Sequence, residues 1–234
     1  MKVAVIGTGA VGQAMSKKFL ELGHQVFMGT RDPQQSMNRK DSDQWGTPGI
    51  GAWIEDHPQV QLKSFKESVK SGSDLIIFAM NGMAALDVLK KIGSEILGDK
   101  LMIDISNPLD FSKGFPPTLS VCNTESLGEQ IQEAFPKLKV VKALNTLSHP
   151  LMGNPGAIEG DHNLFICGND AAAKEKVTGL LGDFGWKKEN IIDLGDISNA
   201  RGTEMLLPLW VRLMGKFQSP IFNFHVVKAK EISA

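Results

Sequence analysis

The sequence contains no tyrosine, only two cysteines and no long apolar run. Without tyrosine, a carbonyl reductase that uses a tyrosine hydroxyl as its proton donor is excluded. Cys122 and Cys167 are far apart, and neither has a second cysteine or a nearby histidine at metal-ligand spacing. We therefore expect two separate thiols, with no metal site and no redox pair.

Charge and hydropathy argue against two classes of partner. The chain has 25 Lys and Arg residues against 26 Asp and Glu residues, and no basic run could follow a phosphate backbone. The first apolar run, residues 3–6, stops at Gly7 and is too short for a signal-peptide core. No stretch approaches the roughly 20 apolar residues of a membrane-spanning helix. We expect a cytoplasmic protein that binds neither nucleic acid nor membrane.

Short aliphatic runs alternate with helical patterns along the first part of the chain. This order predicts an α/β fold with a doubly wound, Rossmann-type parallel sheet and helices on both faces. Ser64 and Glu67 have capping-box spacing, which predicts a helix that ends near Gly72. The predicted strands are residues 2–6, 25–28, 60–62, 75–79, 101–105 and 140–144.

After Pro150 the pattern changes. Strands are predicted at residues 164–167 and 191–194, and helices at 170–181 and 198–217. We expect a first domain of residues 1–149 and a smaller C-terminal α/β lobe of residues 150–234. Pro208 cannot donate a backbone hydrogen bond, so the last helix should kink there.

A glycine-rich motif follows the first predicted strand and opens a helix. Its residues are Gly7, Thr8, Gly9, Ala10, Val11 and Gly12. In such a motif the first glycine allows a tight turn, the second lets the backbone approach a pyrophosphate, and the third permits close packing of helix on strand. The helix N-terminus favours a phosphate. The motif therefore predicts a dinucleotide site.

The end of the second strand distinguishes the two nicotinamide cofactors. Proteins that bind NAD place a carboxylate there, whereas this chain has Thr30 and Arg31. A hydroxyl and a guanidinium suit a 2′-phosphate, so NADP is predicted over NAD. Asp32 leaves an alternative open, because an inward Asp32 with an outward Arg31 would relax or reverse the preference.

Mostly neutral residues follow the other predicted strands, where ligands bind in sheets of this kind. Asn and Ser side chains can bond ribose hydroxyls or a nicotinamide carboxamide. His149 is a weak candidate for a catalytic acid, with a structural histidine as the alternative. Lys142 is expected to snorkel or to pair rather than to react. The predicted cofactor-binding residues at these strand ends are Met80, Asn81, Ser106, Asn107, Pro108, Ala143, Asn145 and Thr146.

Four stretches together resemble a known family. They are the motif at residues 7–12, Gly-Thr-Arg-Asp-Pro at 29–33, Val-Val-Lys-Ala-Leu-Asn-Thr at 140–146 and Ile-Ser-Asn-Ala-Arg at 197–201. The chain resembles the coenzyme F420-dependent NADP oxidoreductases, and is similar to the cytosolic reductase domain of the six-transmembrane metalloreductases.

The resemblance implies direct hydride transfer between NADP(H) and a small redox molecule, either the deazaflavin F420 or a flavin, in a homodimer. It implies that Thr30 and Arg31 contact the 2′-phosphate and that Asn145 and Thr146 border the nicotinamide. The C-terminal lobe would wall the second pocket, for which the expected residues are His149, Met205 and Leu209.

Two other functions remain open at this point. A reductase of small imines or carbonyls would need a proton donor, and His149 is the convenient one. A catalytically silent NADP(H)-sensing protein would bind without turnover. Residues 39–58 also allow two interpretations, a partly helical excursion near the cofactor or a surface loop anchored by Trp45 and Trp53.

Overall fold

A computed structural model describes residues 1–229 of the chain. The strands are β1 (Lys2–Ile6), β2 (Gln25–Thr30), β3 (Gln61–Ser64), β4 (Leu75–Phe78), β5 (Leu101–Asp104), β6 (Leu109–Asp110), β7 (Thr118–Leu119), β8 (Lys139–Ala143), β9 (Leu164–Cys167) and β10 (Ile191–Asp193). The helices are α1 (Ala10–Glu21), α2 (Pro33–Met37), α3 (Ile50–Asp56), α4 (Phe65–Ser71), α5 (Ala85–Ile92), α6 (Ser94–Leu97), α7 (Leu127–Ala134), α8 (His149–Met152), α9 (Ala171–Asp183), α10 (Ala200–Met205) and α11 (Leu207–Phe217).

Eight strands form one sheet in the order β10-β9-β8-β5-β4-β1-β2-β3, and β6 pairs with β7 in a small separate ribbon. Every neighbouring pair in the large sheet is parallel except β8 and β9. Central strands such as β4 (Leu-Ile-Ile-Phe) are buried along their whole length, which is typical of strands covered on both faces. The predicted doubly wound, Rossmann-type α/β fold is confirmed.

Two apolar cores lie on the two faces of this sheet. On the first face, Phe19 of α1 and Val177 of α9 pack with Met152 of α8. On the second face, Leu89 of α5 and Ile131 of α7 are fully buried together with residues of α4 and α10. Each such side chain contributes roughly 1.5–3 kcal/mol by leaving water, so the helices are held to the sheet by these contacts.

The C-terminal lobe shares the sheet of the first part of the chain. β9 runs antiparallel beside β8 and carries β10 as its outer, parallel neighbour. The large sheet therefore continues across the boundary expected after residue 149. The division into domains of residues 1–149 and 150–234 stays a prediction.

Local signals account for the ends of two helices. Ser64 and Glu67 form the predicted capping box, and α4 ends at its C-cap Gly72. The helix predicted over residues 198–217 is interrupted, as the kink expected at Pro208 anticipated, and the chain breaks at Leu206 into α10 and α11. Pro208 in the first turn of α11 explains the break, since proline has no backbone hydrogen to donate.

The excursion, residues 39–58 between β2 and β3, is partly helical because it contains α3. The backbone N–H of Gly51 donates to the carbonyl of Arg39 at 2.8 Å. Trp53 is buried and stacks on His57 with ring centroids 4.0 Å apart, whereas Trp45 is 78% exposed. Of the two tryptophans, only Trp53 anchors the segment.

Helix lengths are modest throughout the described chain. The longest helix within residues 1–229 is α9, with 13 residues. None of the helices in this range combines the length and the apolarity needed to cross a lipid bilayer.

Candidate functional site

The candidate site lies at the carboxyl edge of the parallel strands, where β1 is flanked by β2 on one side and β4 on the other. In a doubly wound sheet the connections from the two halves diverge at this point and ligands bind there, and we call this region the crevice. The predicted cofactor-binding residues lie at the ends of strands at this edge or in the loops that follow them.

The glycine turn has the geometry that its sequence predicts. Gly7 has φ +125°, and a Cβ there would stand 2.3 Å from the carbonyl oxygen of Ala79. A Cβ on Gly12 would stand 2.1 Å from the carbonyl oxygen of Gly7, so α1 can approach the turn only without a side chain. Gly9 caps α1, and no atom of residues 1–229 lies within 4 Å of where its Cβ would be. The backbone is thus open to a ligand at Gly9.

The carboxylate of Asp32 serves as a helix cap. Its Oδ1 accepts the backbone N–H of Gln35 at 3.0 Å and so begins α2. Pro33 at the first helical position suits this start. Arg31, between Asp32 and β2, is exposed. One oxygen of the carboxylate is thus engaged by its own helix, and the preference for Arg31 over Asp32 at the ribose stays a prediction.

A chain of hydrogen bonds joins the end of β2 to the glycine turn. The hydroxyl oxygens of Thr30 and Ser36 lie 2.8 Å apart. The guanidinium of Arg39 donates from Nη2 to Ser36 Oγ at 3.2 Å and to Thr8 Oγ1 at 3.0 Å. Sequence reasoning missed Ser36 and Arg39 as members of this corner. No motif marks them, because only the turn of α2 brings them back toward Thr8.

At the other end of the crevice two predicted residues bind each other. The Nδ2 of Asn107 donates to the carbonyl oxygen of Asn145 at 2.8 Å, and the Nδ2 of Asn145 donates to Oδ1 of Asn107 at 2.9 Å. Asn81 accepts the backbone N–H of Met83 and caps a short 3-10 turn. The loop after β4 meets the loop after β5 here, since a Cβ on Gly82 would lie 2.2 Å from the Asn107 carbonyl oxygen.

The loop after β8 contains a strained residue and two unpaired polar atoms. Leu144 has φ +64°, an uncommon conformation for a residue with a branched side chain. Within residues 1–229, Oδ1 of Asn145 and Oγ of Ser148 are buried without a hydrogen-bond partner. Leaving a polar atom in this state costs about 1–3 kcal/mol. A ligand that donates to Asn145 Oδ1 would remove that cost.

The remaining predicted residues lie in or near this edge. Met80 approaches the turn, with its sulfur 3.5 Å from the Cβ position of Gly7. Ser106 and Thr146 are buried, and Ala143 belongs to the core of the first face. The carbonyl oxygen of Pro108 accepts the backbone N–H of Ser120 at 2.8 Å. Their roles as cofactor contacts stay predictions.

A buried charge cluster lies beneath the strand ends. The Nζ of Lys142 is 2.9 Å from Asp104 Oδ2 and 2.7 Å from Glu204 Oε1, and all three side chains are almost entirely buried. The same ammonium donates to the carbonyl oxygen of Ser106 at 2.6 Å. The prediction that Lys142 pairs is confirmed. Its partners were missed because they stand 38 and 62 positions away in the sequence.

Helix α7 completes the cluster. The backbone N–H groups of Leu127 and Gly128 donate to the Glu204 carboxylate at 2.8 and 3.0 Å. Burial alone would lower the pKa of Lys142, but the two carboxylates outweigh it and raise that pKa above its ordinary value. Burial also raises the pKa of the nearby Cys167 thiol to about 12. The cluster fastens α10 to the sheet and leaves Lys142 protonated.

The three residues expected in a second pocket belong to different faces. His149 begins α8, which packs with α1 on the first face. Burial lowers the pKa of His149, while the charge of Asp43 in the excursion acts to raise it. Met205 ends α10, which packs against α7 on the second face, and Leu209 on α11 is half exposed. A pocket formed by all three stays a prediction.

The C-terminal segment reaches the same carboxyl edge. Because β9 is antiparallel to β8, the residues before β9 lie beside the end of β8. Asn163 there donates its backbone N–H to the carbonyl oxygen of Phe224 at 2.8 Å. Phe222 stacks on Trp210 of α11 with centroids 5.3 Å apart. Phe224 is thereby held beside the start of β9, at the same edge of the sheet as the end of β8.

The fold and the glycine turn define a Rossmann-type dinucleotide-binding protein. The sequence profile described as "NADP oxidoreductase coenzyme F420-dependent" matches residues 2–108. A crystal structure from Arthrobacter sp. FB24, named "putative f420 dependent nadp-reductase", is 47% identical, with 97% of this chain and 100% of that chain covered and a TM-score of 0.90. The chain belongs to the F420-dependent NADP oxidoreductase family, as the sequence motifs predicted.

More distant relatives include longer proteins. Metalloreductase STEAP3 of Rattus norvegicus is 24% identical over 213 residues, which cover 89% of this chain and 38% of that protein. The chain thus spans well under half the length of this relative. A reductive aminase from Aspergillus terreus, in complex with NADPH and ethyl-5-oxohexanoate, has a TM-score of 0.62 at 17% identity, with 93% of this chain and 62% of that chain covered. This last likeness shows the fold alone.

Proposed function

We propose that this member of an NADP-dependent oxidoreductase family transfers a hydride directly between NADP(H) and a second redox molecule, the deazaflavin F420 or a flavin. One observation carries the proposal. The reacting end of the crevice is neutral and polar, with the reciprocal Asn107–Asn145 pair and the unpartnered Oδ1 of Asn145 at its floor. Such a floor suits a nicotinamide carboxamide, whose N–H groups need an acceptor.

The other end of the crevice supports NADP as the nucleotide. Arg31 is exposed beside the turn, and the carboxylate of Asp32 is engaged as a helix cap. Thr30 stands at the end of β2 beside them. A guanidinium with no competing carboxylate at the ribose position favours an additional phosphate. The open backbone at Gly9, at the N-terminus of α1, suits the pyrophosphate.

The chemistry of the reaction is supplied by the rings of the nicotinamide and of its acceptor when they are bound. The chain's own residues bind and align those rings. Leu144 and the amide pair hold Asn145 in one orientation, and the buried Lys142 holds the loop of Ser106 through its carbonyl oxygen. Alignment of two reactants in this way accelerates their reaction without an acid or base from the protein.

We also propose where the acceptor binds. The aromatic C-terminal segment and α11 would wall the second pocket beyond the nicotinamide, with His149, Met205 and Leu209 among its residues. The hydrogen bond from Asn163 to Phe224 supports this placement, since it holds the segment at the edge where β8 ends. Stacking of Phe222 on Trp210 joins the segment to α11. A planar ring acceptor would gain contact area from such a wall.

The assembly that we propose is a cytoplasmic homodimer. Met205, Leu209 and Phe217 are exposed on α10 and α11 at 40%, 50% and 56%. Apolar side chains that recur on one helical segment suit an interface with another chain. Light scattering of the wild type against Leu209→Glu tests this, and an unchanged mass for both at the monomer value would contradict it.

Turnover with defined acceptors tests the function. Purified protein is mixed with NADPH and, in separate reactions, oxidised F420, FMN, FAD and a panel of ketones and imines, while nicotinamide absorbance is followed. We expect oxidation of NADPH with F420 or a flavin. The Asn145→Ala variant should bind NADPH but lose most of this turnover, because the ring is no longer aligned.

The other outcomes identify the competing functions. Turnover of an imine or carbonyl that His149→Gln abolishes would indicate a small-metabolite reductase. Binding of NADPH without turnover of any acceptor would indicate a sensor. Absence of nicotinamide binding would overturn the proposal altogether.

A further inference from the structure

We infer that Arg39, which lies in the excursion and outside the glycine and β2 motifs, is a second guanidinium of the 2′-phosphate site. In this role it selects NADP over NAD together with Arg31. The inference rests on the proposed NADP dependence and adds a specificity-determining residue to it. Three features of the described structure lead to it: the position of the side chain, its charge balance and the orientation that it imposes on two hydroxyl groups.

The side chain of Arg39 lies between the glycine turn and the end of β2, the two elements that we expect to hold the adenosine half of the nucleotide. Its Nη2 donates both to Thr8 in the glycine turn and to Ser36 in α2, at 3.0 and 3.2 Å. The first contact is with the loop expected to hold the pyrophosphate, and the second is with the hydroxyl next to the end of β2. A 2′-phosphate on the adenosine ribose would come to the region between these two elements.

The excursion holds Arg39 in this position through its backbone. The carbonyl oxygen of Arg39 accepts the N–H of Gly51 at 2.8 Å, and a Cβ on Gly49 would stand 2.4 Å from that oxygen. The excursion is itself tied to α1, because Nε2 of Gln13 donates to the carbonyl oxygen of Pro48 at 2.9 Å. The guanidinium is therefore presented to the turn by a fixed backbone.

No carboxylate of residues 1–229 neutralises the charge of Arg39. Within residues 1–229, neither Arg39 nor Arg31 has an acidic group within salt-bridge distance. Lys40, the next residue, is by contrast paired with Glu55. Two guanidinium groups without acidic partners, on either side of one corner, favour an anion with two negative charges.

The hydrogen bonds of Arg39 also orient two hydroxyl groups toward an anion. An arginine can only donate, so the oxygens of Thr8 and Ser36 must accept from it. Each hydroxyl keeps its own hydrogen, which is then available to donate. Thr30 Oγ1, buried 2.8 Å from Ser36 Oγ, can donate to Ser36 and leave the Ser36 hydrogen for a phosphate oxygen. In this arrangement Thr30 acts through Ser36.

Calorimetry on the full chain tests the inference without requiring turnover. The variants are Arg39→Ala and Arg39→Gln, with Lys40→Ala as a control that removes the neighbouring positive charge. The probes are NADP⁺ and NAD⁺, and the pair 2′,5′-ADP and 5′-ADP, which differ in the position of one phosphate. Circular dichroism of each variant confirms that the protein is folded.

We expect Arg39→Ala to weaken binding of NADP⁺ and of 2′,5′-ADP by roughly ten-fold to hundred-fold, because a charge-assisted contact is lost. Binding of NAD⁺ and 5′-ADP should change by less than about two-fold. Arg39→Gln, which keeps a hydrogen-bond donor on a shorter side chain but removes the charge, should lose nearly as much NADP⁺ affinity. Lys40→Ala should leave all four affinities near those of the wild type.

Equal weakening of NADP⁺ and NAD⁺ by Arg39→Ala would overturn the inference and show that Arg39 only braces the excursion against the turn. Full NADP⁺ affinity in Arg39→Gln would also overturn it, since the charge would then be unnecessary. A wild-type protein that binds neither nucleotide would overturn the proposed function as well, so the two failures are distinguishable.

Discussion

Two regions of this protein hold cations in opposite ways. In the interior, Lys142 lies between Asp104 and Glu204, at 2.9 and 2.7 Å, and all three are almost fully buried. At the rim of the crevice, Arg31 and Arg39 are exposed, and within residues 1–229 neither has a carboxylate within salt-bridge distance. The ammonium of the first region has its acidic partners within the chain, whereas the guanidinium groups of the second region remain available to bind an anion.

The difference separates a structural use of charge from a binding use. A buried ammonium without its carboxylates would be far too costly, so the interior cluster must be satisfied by the fold itself. An exposed guanidinium is solvated by water, so it can lack a carboxylate partner at little cost in stability and remain available to a ligand. Removal of a charge should therefore lower stability in the first region and ligand affinity in the second.

The largest effect is expected from Lys142→Met. Loss of the ammonium leaves two buried carboxylates without their partner, which should lower the free energy of unfolding by about 3–5 kcal/mol. Urea denaturation measures this. The control is Lys139→Met on the same strand, whose partly exposed pair with Asp170 has an N–O distance of 3.5 Å and should contribute less than about 1 kcal/mol. Equal losses for the two variants would erase the contrast between buried and exposed charge.

Thiol reactivity gives the next largest effect. Burial raises the pKa of Cys167 to about 12 from an ordinary value of 9.0, so at pH 9 only about a thousandth of this thiol is ionised in the folded protein. Cys122 is exposed. Native alkylation followed by mass spectrometry should label Cys122 at least a hundred-fold faster.

The sign of this shift also predicts a pH dependence. Because the folded pKa of Cys167 is raised, its contribution to stability is present below pH 9 and is lost as the pH rises toward 12. Cys167→Ala should reduce the alkaline decline of the unfolding free energy. Comparable labelling rates for the two thiols at pH 9 would contradict the assignment of Cys167 to a sealed interior.

At the rim, Arg31→Ala should leave stability unchanged and weaken binding of NADPH by roughly ten-fold to hundred-fold, since one charged hydrogen bond is lost. Binding of NADH should change little. Fluorescence titration with NADPH and with NADH measures the ratio of the two dissociation constants. Equal weakening of NADPH and NADH binding would show that Arg31 is not part of the phosphate site. If the variant were less stable but kept its preference for NADPH, Arg31 would have a structural role like that of Lys142.

The smallest effect is expected from Asp32→Asn. Asparagine caps helices about as well as aspartate, so α2 should keep its start and the protein its stability. Affinity for NADH should stay within about two-fold of the wild type, because the carboxylate is a cap and no ribose ligand. A large loss of NADH affinity would instead show that Asp32 faces the ribose.

Local patterns predicted much of the fold. β1 and β9 begin and end where expected, and the capping box of Ser64 and Glu67 opens α4. These features depend on neighbours a few residues apart, as do the glycine turn and the polar strand ends. The kink expected at Pro208 is present as a full break, because the missing backbone donor divides the predicted helix into α10 and α11.

Long-range pairings escaped prediction. Nothing local to Asp104 or Glu204 indicates that they share one ammonium, and nothing in the sequence around Arg39 indicates that it returns to Thr8. The reciprocal hydrogen bonds of Asn107 and Asn145 could also not be predicted from the sequence motifs, although both residues were predicted for the site. Each of these pairs forms only after the sheet has aligned separate loops.

The sequence by itself determined the alternation of strands and helices that forms the Rossmann sheet, the glycine turn over which a pyrophosphate can lie, and the family to which the chain belongs. Each of these is encoded in short stretches of neighbouring residues. Only the tertiary structure decided which charges are neutralised and which remain available. Parallel strands bring their carboxyl ends to one edge whatever their separation along the chain, and the partners that meet there are set by packing rather than by sequence distance.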